Sequence, residues 1–262
     1  MSESPIIFER EEGIASIRFN RPSVLNALDE AMVAALRASV ETAARDERVR
    51  VVVLSGEGRG FMAGGDVGRF HAAGPEAPSL VRRVIEPFHA AVARLAEMPK
   101  PVVASLHGPV AGAGLSIALL ADLAIAADDA QFTLAYARIG ASPDGSATWS
   151  LPRIVGLRKA LELALLAETI DAAEALRLNL VNRVVPREHL EGETAALAAR
   201  LAAGPALAYG RIKQLMRTSF DRSLAEQLAE EAAAFTALAA SADFAEGVSA
   251  FVGKRPPRFT GR

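Results

Sequence analysis

The 262-residue chain contains no cysteine. That removes disulfides, thiolate nucleophiles and thiolate metal ligands, and it fits a reducing compartment. No apolar run approaches the ~20 residues that a membrane span requires. The start of the chain, MSESPIIFEREEG, carries acids where a secretory leader would carry basic residues ahead of an apolar core. The expected location is therefore the cytoplasm, with no membrane partner. Charge of one sign is also lacking: 29 Lys and Arg face 31 Asp and Glu. A nucleic-acid partner is not expected of so balanced a chain. The four histidines, His71, His89, His107 and His189, form no HExxH or other compact ligand spacing, so no metal site is expected. There is no GxSxG nucleophile elbow, no GK[ST] phosphate loop, no internal repeat and no low-complexity segment.

What the chain does have is apolar residues, 51% of the total, enough for one large buried core. Residues 5–20 alternate apolar and polar around Glu12-Gly13, which predicts a β-hairpin. Asp29 is placed to cap a helix running to Arg45, with Met32, Val33, Leu36 and Val40 at helical spacing. Val49 to Leu54 reads as a buried strand, and Gly56 to Asp66 as a long glycine-rich loop. Ser79 to Glu97 reads as a helix. Short strands are expected at 102–104, 123–127, 130–134 and 181–185, and helices at 145–155, 158–167 and 171–178. Beyond Pro186 the chain is alanine-rich helix, broken once at Gly204-Pro205. Alternating strands and helices followed by helix alone predict an α/β core, residues 1–200, with a helical segment over 201–262.

The stretch from Pro101 to Asp122, PVVASLHGPVAGAGLSIALLAD, joins an apolar strand through glycines to an apolar helix. Such an arrangement aims unpaired backbone N–H groups at something negative. Gly112-Ala113-Gly114 falls short of a dinucleotide fingerprint, because Ile117 stands at the third glycine position. A tight turn is the plain alternative. In Phe61-Met62-Ala63-Gly64-Gly65-Asp66, adjacent glycines permit close backbone approach to a ligand, and Asp66 can cap a following helix. Ser142-Pro143-Asp144-Gly145-Ser146 is also good turn chemistry, so Asp144 reads equally as a turn or N-cap aspartate.

Taken together, several segments resemble the enoyl-CoA hydratase/isomerase (crotonase) superfamily. They are Asn20-Arg21-Pro22 with Leu25-Asn26-Ala27-Leu28, VRVVVLSGEGRGFMAGGD, KPVVASLHGPVAGAGLSIALLADLAIAADDAQF, IDAAEALRLNLVNRVVP and DFAEGVSAFVGKRPPRF. The resemblance spans nearly the whole chain. It implies a spiral of ββα units with a C-terminal helical trimerisation segment, giving a homotrimer or hexamer. It also implies an acyl-CoA thioester substrate, with coenzyme A as part of that substrate and no separate cofactor. The backbone N–H groups of Gly65 and Ala113 would hold the thioester oxygen. Ala63 would lie beside the adenine, and Phe251 and Lys254 would reach the CoA of a neighbouring subunit. Asp66, Ser116 and Tyr136 complete the expected substrate-binding set.

One departure from the family pattern narrows the reaction. Hydratases of the family use two glutamates, and this chain has Ser116 and Tyr136 at those positions. Neither is a base near neutral pH. Asp144, eight residues beyond Tyr136, matches the Pro-Asp-Gly aspartate that shuttles a proton in the isomerase members, most closely those acting on epoxidised phenylacetyl-CoA. The resemblance therefore implies an isomerase with Asp144 as its catalytic residue. The alternatives are a hydratase of the same superfamily and a catalytically silent acyl-CoA-binding paralogue.

Overall fold

In a computed structural model, which describes residues 4–262, the N-terminal alternation becomes a hairpin of β1 (Ile6–Glu11) and β2 (Ile14–Phe19). Its turn residues, Glu12 and Gly13, both have positive φ, 46° and 83°. That pairing matches the right-handed twist of the two strands. The inward residues of β2, Ala15, Ile17 and Phe19, are fully buried. The chain then crosses through α1 (Glu30–Arg45) to β3 (Val51–Gly56), which lies parallel to β2. Asp29 caps α1 as its position predicts, its carboxylate accepting the Met32 N–H at 2.9 Å.

Two helices, α2 (Val67–Ala73) and α3 (Ala77–Glu97), lead to β4 (Val102–Leu106). Pro87 lies inside α3; lacking an N–H, it leaves the carbonyl one turn earlier without its helical donor. Next come β5 (Pro109–Ala111), α4 (Ala113–Leu120), β6 (Leu123–Ala127) and β7 (Gln131–Thr133). They are followed by α5 (Ala147–Val155), α6 (Leu157–Leu166), β8 (Ile170–Asp171), α7 (Ala172–Arg177) and β9 (Arg183–Val185). The remainder is helical: α8 (Leu190–Ala202), α9 (Ala206–Thr218), α10 (Leu224–Ala239) and α11 (Ala242–Val252).

The strands form a six-stranded sheet in the order β1-β2-β3-β4-β6-β9, parallel from β2 onward, and a three-stranded sheet β5-β7-β8. The unbroken apolar run of β3 reflects burial on both faces. Val52 and Leu54 enter the main core, where Leu36, Phe61 and Leu95 are also sealed from solvent. Val51 and Val53, with Val103, pack instead against Ala198 and Ala202 of α8. Each such side chain contributes about 1.5–3 kcal/mol by leaving water. Among the described residues no single helix is long and apolar enough to cross a membrane.

A buried ionic knot ties α9 to the core. Lys213 donates to the carbonyl oxygens of Leu95 at 2.7 Å and Lys100 at 3.1 Å, and pairs with Asp122 at 2.9 Å. Arg217 takes the other Asp122 oxygen at 2.7 Å. In contrast, α10 buries none of its sixteen residues, and Leu224, Leu228 and Phe235 are exposed.

Several element boundaries differ from the sequence reading. The helix after Asp144 begins at Ala147 because Gly145 and Ser146 are left-handed, with φ 57° and 81°. The strand predicted over 130–134 spans Gln131–Thr133, and the left-handed Ala135 (φ 47°) lies just beyond it. Pro109–Ala111, where the sequence offers no strand, is strand β5, whose register pairs Val110 with Phe132.

Candidate active site

The candidate residues occupy loops that follow the carboxyl ends of the parallel strands β3, β4 and β6, where open α/β sheets place ligands. The loop after β3 is pinned from within by Asn26, which is fully buried. Its amide donates to the carbonyl oxygens of Glu57 at 2.9 Å, Gly60 at 2.9 Å and Phe61 at 3.1 Å, and its oxygen accepts the Arg21 N–H at 2.8 Å. Asp66 is held from the same side. Its carboxylate pairs with Arg21 at 3.3 Å and caps α2 through the Arg69 N–H. It thus anchors the end of the loop that carries Gly65.

This loop lies directly against the start of α4. Gly64 and Gly112 both have positive φ, 100° and 51°, and a Cβ on Gly112 would sit 3.4 Å from the Gly64 Cα. The approach itself is ordinary contact, and it is the positive φ at both residues that favours glycine there. Met62 and Val110 form an isolated bridge across the same junction. The N–H groups of Gly65 and Ala113 make no hydrogen bond among the described residues. Ala113 is the first residue of α4, where a helix has no internal acceptor to offer. Two backbone donors therefore stand unpaired on adjoining loops, suited to an oxygen that gains negative charge.

A second cluster lies one turn into α4. Ser116 is fully buried, and its hydroxyl lies 3.2 Å from the Gly112 carbonyl oxygen and 3.0 Å from the Tyr136 hydroxyl. Tyr136 donates in turn to Oδ1 of Asp144 at 2.5 Å. With the single tyrosine proton committed to a carboxylate, the Ser116 hydroxyl is the donor toward Tyr136. The phenol ionises well above its ordinary value, first because it is buried and then because the Asp144 charge opposes a second anion. Tyr136 is thus a permanent donor rather than a base. His89, projecting from α3, completes the cluster: its Nε2 accepts the Gly145 N–H at 3.1 Å and lies 3.4 Å from Oδ2 of Asp144. The carboxylate is neither an N-cap nor a simple turn aspartate. Ser146 precedes α5, and the Asp144 side chain points into the cluster.

Residues 9–262 match the sequence profile of the family described as Enoyl-CoA hydratase/isomerase. The chain belongs to that family. A Rhodobacter capsulatus protein described as a probable enoyl-CoA hydratase is 44% identical over 262 residues, covering 100% of both chains. The 1,2-epoxyphenylacetyl-CoA isomerase of Escherichia coli is 38% identical, covering 98% of each. Among solved structures, an enoyl-CoA hydratase from Polaromonas sp. JS666 superimposes with a TM-score of 0.93 at 34% identity, over 97% of this chain and 99% of that one. The crotonase-like α/β fold with C-terminal helices expected from the resemblance is the fold observed.

Within the family frame, the structure brings Ser116, Tyr136 and Asp144 into one hydrogen-bonded cluster and sets Gly64, the neighbour of Gly65, against Gly112 and the Ala113 nitrogen. Ala63 lies in the same loop, its N–H donating to the Leu25 carbonyl oxygen at 2.9 Å. Phe251 and Lys254 stand apart. Phe251 is 86% exposed and borders a largely apolar cavity of about 410 Å³ with Pro205, Phe235 and Phe244. Lys254, exposed beyond α11, makes no side-chain hydrogen bond or ion pair among the described residues. Among those residues no three His, Asp or Glu side chains gather as a metal-binding group. Sequence reasoning missed two residues, Asn26 and His89. Asn26 sits inside a recognised segment without an assigned role, and His89 gives no local signal at all.

Proposed function

We propose that this enoyl-CoA hydratase/isomerase family member is an acyl-CoA isomerase, moving a double bond or rearranging a ring-derived acyl group through a thioester enolate. The observation that carries the reading is the make-up of the cluster: one carboxylate, Asp144, accompanied by the hydroxyls of Ser116 and Tyr136. An isomerase needs one base that removes a proton from one carbon and returns it to another. Syn-hydration by the family's route calls on a second carboxylate to handle water.

In this mechanism the thioester oxygen accepts the N–H groups of Gly65 and Ala113. Asp144 removes the proton from the carbon beside the carbonyl, and the electron pair moves into the enolate held by those donors. One such preorganised donor is worth about 3–4 kcal/mol of transition-state stabilisation. The protonated Asp144 then returns its proton to the γ-carbon, and the double bond comes into conjugation. Tyr136 holds Oδ1 throughout, leaving Oδ2 to carry the proton. Coenzyme A takes part only as the substrate's handle. Ala63 lies beside its adenine, and Phe251 and Lys254 reach it from a neighbouring copy in a homotrimer or hexamer, Lys254 toward a phosphate.

The deciding experiment compares wild type with Asp144→Asn on trans-3-hexenoyl-CoA. Loss of isomerisation with unchanged CoA-ester binding is expected, and full turnover in the variant would sink the assignment. A second reading, enoyl-CoA hydratase, is favoured by the 44% identity to the Rhodobacter protein so described. Hydration of crotonyl-CoA faster than isomerisation of the 3-enoyl ester would select it.

A further inference from the structure

As the single base, Asp144 holds the abstracted proton during the life of the enolate, and its neighbours decide where that proton can go. Oδ1 is occupied by Tyr136. That phenol cannot pass a proton on, because it would have to ionise in a buried site beside a carboxylate. Ser116, behind it, is sealed from solvent. The remaining neighbour is His89. Its Nε2 lies 3.4 Å from Oδ2, and its side chain is 49% exposed against 20% for Asp144. The exposed part of Asp144 is the part a substrate must meet if the carboxylate is to act as its base. A seated acyl chain therefore covers it, and the imidazole becomes the route that stays open to water.

The protonation of the ring fits this role. Nε2 accepts the Gly145 N–H at 3.1 Å, so in the resting site it carries a lone pair and no proton. We infer that His89 is the proton relay between Asp144 and solvent, resting on the reading of Asp144 as the catalytic base. The steps balance as follows. The substrate C–H bond breaks as the Oδ2–H bond forms, with the electron pair entering the enolate. The Gly145 N–H then gives up its hold on the Nε2 lone pair, and the Oδ2–H bond breaks as Nε2–H forms, giving an imidazolium beside a restored carboxylate. The imidazolium releases its Nδ1 proton to water, and the same path run backwards brings a solvent proton to Asp144. Isomerisation itself needs none of these relay steps. What they control is whether the abstracted proton is the one returned.

Two variants separate proton transfer from simple support of the loop. His89→Gln carries an amide oxygen out to the reach of Nε2, where it can accept the Gly145 N–H but cannot carry a proton, and His89→Ala removes both. The probes are α-deuterated trans-3-hexenoyl-CoA in water, read as deuterium retained at C4 of the product, and phenylacetyl-CoA in heavy water, read as α-proton washout. In both variants, retention at C4 should rise several-fold and washout should slow several-fold, each by a larger factor than any change in isomerisation. Retention and washout unchanged in both variants, while Asp144→Asn abolishes both reactions, would overturn the relay and leave the base assignment standing. So would slower isomerisation with unchanged retention, which marks a purely positioning histidine. Exchange persisting in Asp144→Asn overturns the base assignment and the relay with it, whereas isomerisation by wild type with no exchange on either ester overturns the relay alone.

Discussion

The Tyr136 hydroxyl donates to Oδ1 of Asp144 across 2.5 Å, and on its other side it faces the Ser116 hydroxyl at 3.0 Å. A donor to a charged group contributes about 1.5–3 kcal/mol. Part of that stabilises the resting carboxylate and does not lower the barrier, but without it Oδ1 is no longer held in place, so Tyr136→Phe should lower kcat by roughly tenfold through misplacement of the base. KM should move little, because the ring still fills the same volume. Steady-state kinetics on trans-3-hexenoyl-CoA checks this split, and a change confined to KM would mark Tyr136 as a mere wall of the pocket.

The raised ionisation of that phenol also makes a prediction for stability. In the unfolded chain a tyrosine loses its proton near pH 10. In the folded site burial, and then the Asp144 charge, keep it protonated beyond that point. Above about pH 10 the unfolded state therefore binds fewer protons than the native one, and stability falls as pH rises. Below that pH the contribution is constant. Thermal unfolding of Tyr136→Phe should lose less of its Tm across the alkaline range than wild type does.

Gly114 is a position where the two oxygen-facing loops are sensitive to volume. A Cβ there would sit 2.3 Å from the Met62 carbonyl oxygen, which itself accepts the Ala111 N–H at 2.8 Å. Gly114→Ala must push these backbones apart. Overpacking of this kind costs about 1–3 kcal/mol, measurable by urea unfolding. Turnover should fall by more than stability suggests, because displacement of about 1 Å at a catalytic donor can cost ~100-fold.

The ionic knot under α9 should be asymmetric. Asp122→Ala strands both Lys213 and Arg217, and an uncompensated buried charge costs about 3–5 kcal/mol. Lys213→Met leaves the Asp122 carboxylate with Arg217 and the Val102 N–H at 2.8 Å, so it should be far milder. Denaturant midpoints of the two variants give the comparison, and equal losses would contradict it.

Elements with strong periodicity or clear capping chemistry were legible in the sequence. The hairpin at Glu12-Gly13 and the helix opened by Asp29 both fall where their residues place them. Ser116, Tyr136 and Asp144 could be singled out by their spacing in recognised segments, although only the fold shows that their side chains touch. β5 escaped because three residues beginning with proline carry no strand pattern, and its partner Phe132 arrives in parallel only after the crossover through α4 and β6. His89 escaped for a different reason. It meets Gly145 across 56 residues of chain, and such a contact is set by how α3 packs rather than by any local motif.

The proline inside α3 bears on that packing. Pro87 lies two residues before His89, in a helix of 21 residues that is otherwise regular. With one rung of its ladder missing there, the turn around Arg83 to Pro87 is the place where α3 opens at least free-energy cost. Native-state hydrogen exchange should show amides in this turn trading deuterium sooner than those of α1. The imidazole would then be carried on the segment of the helix that breathes first.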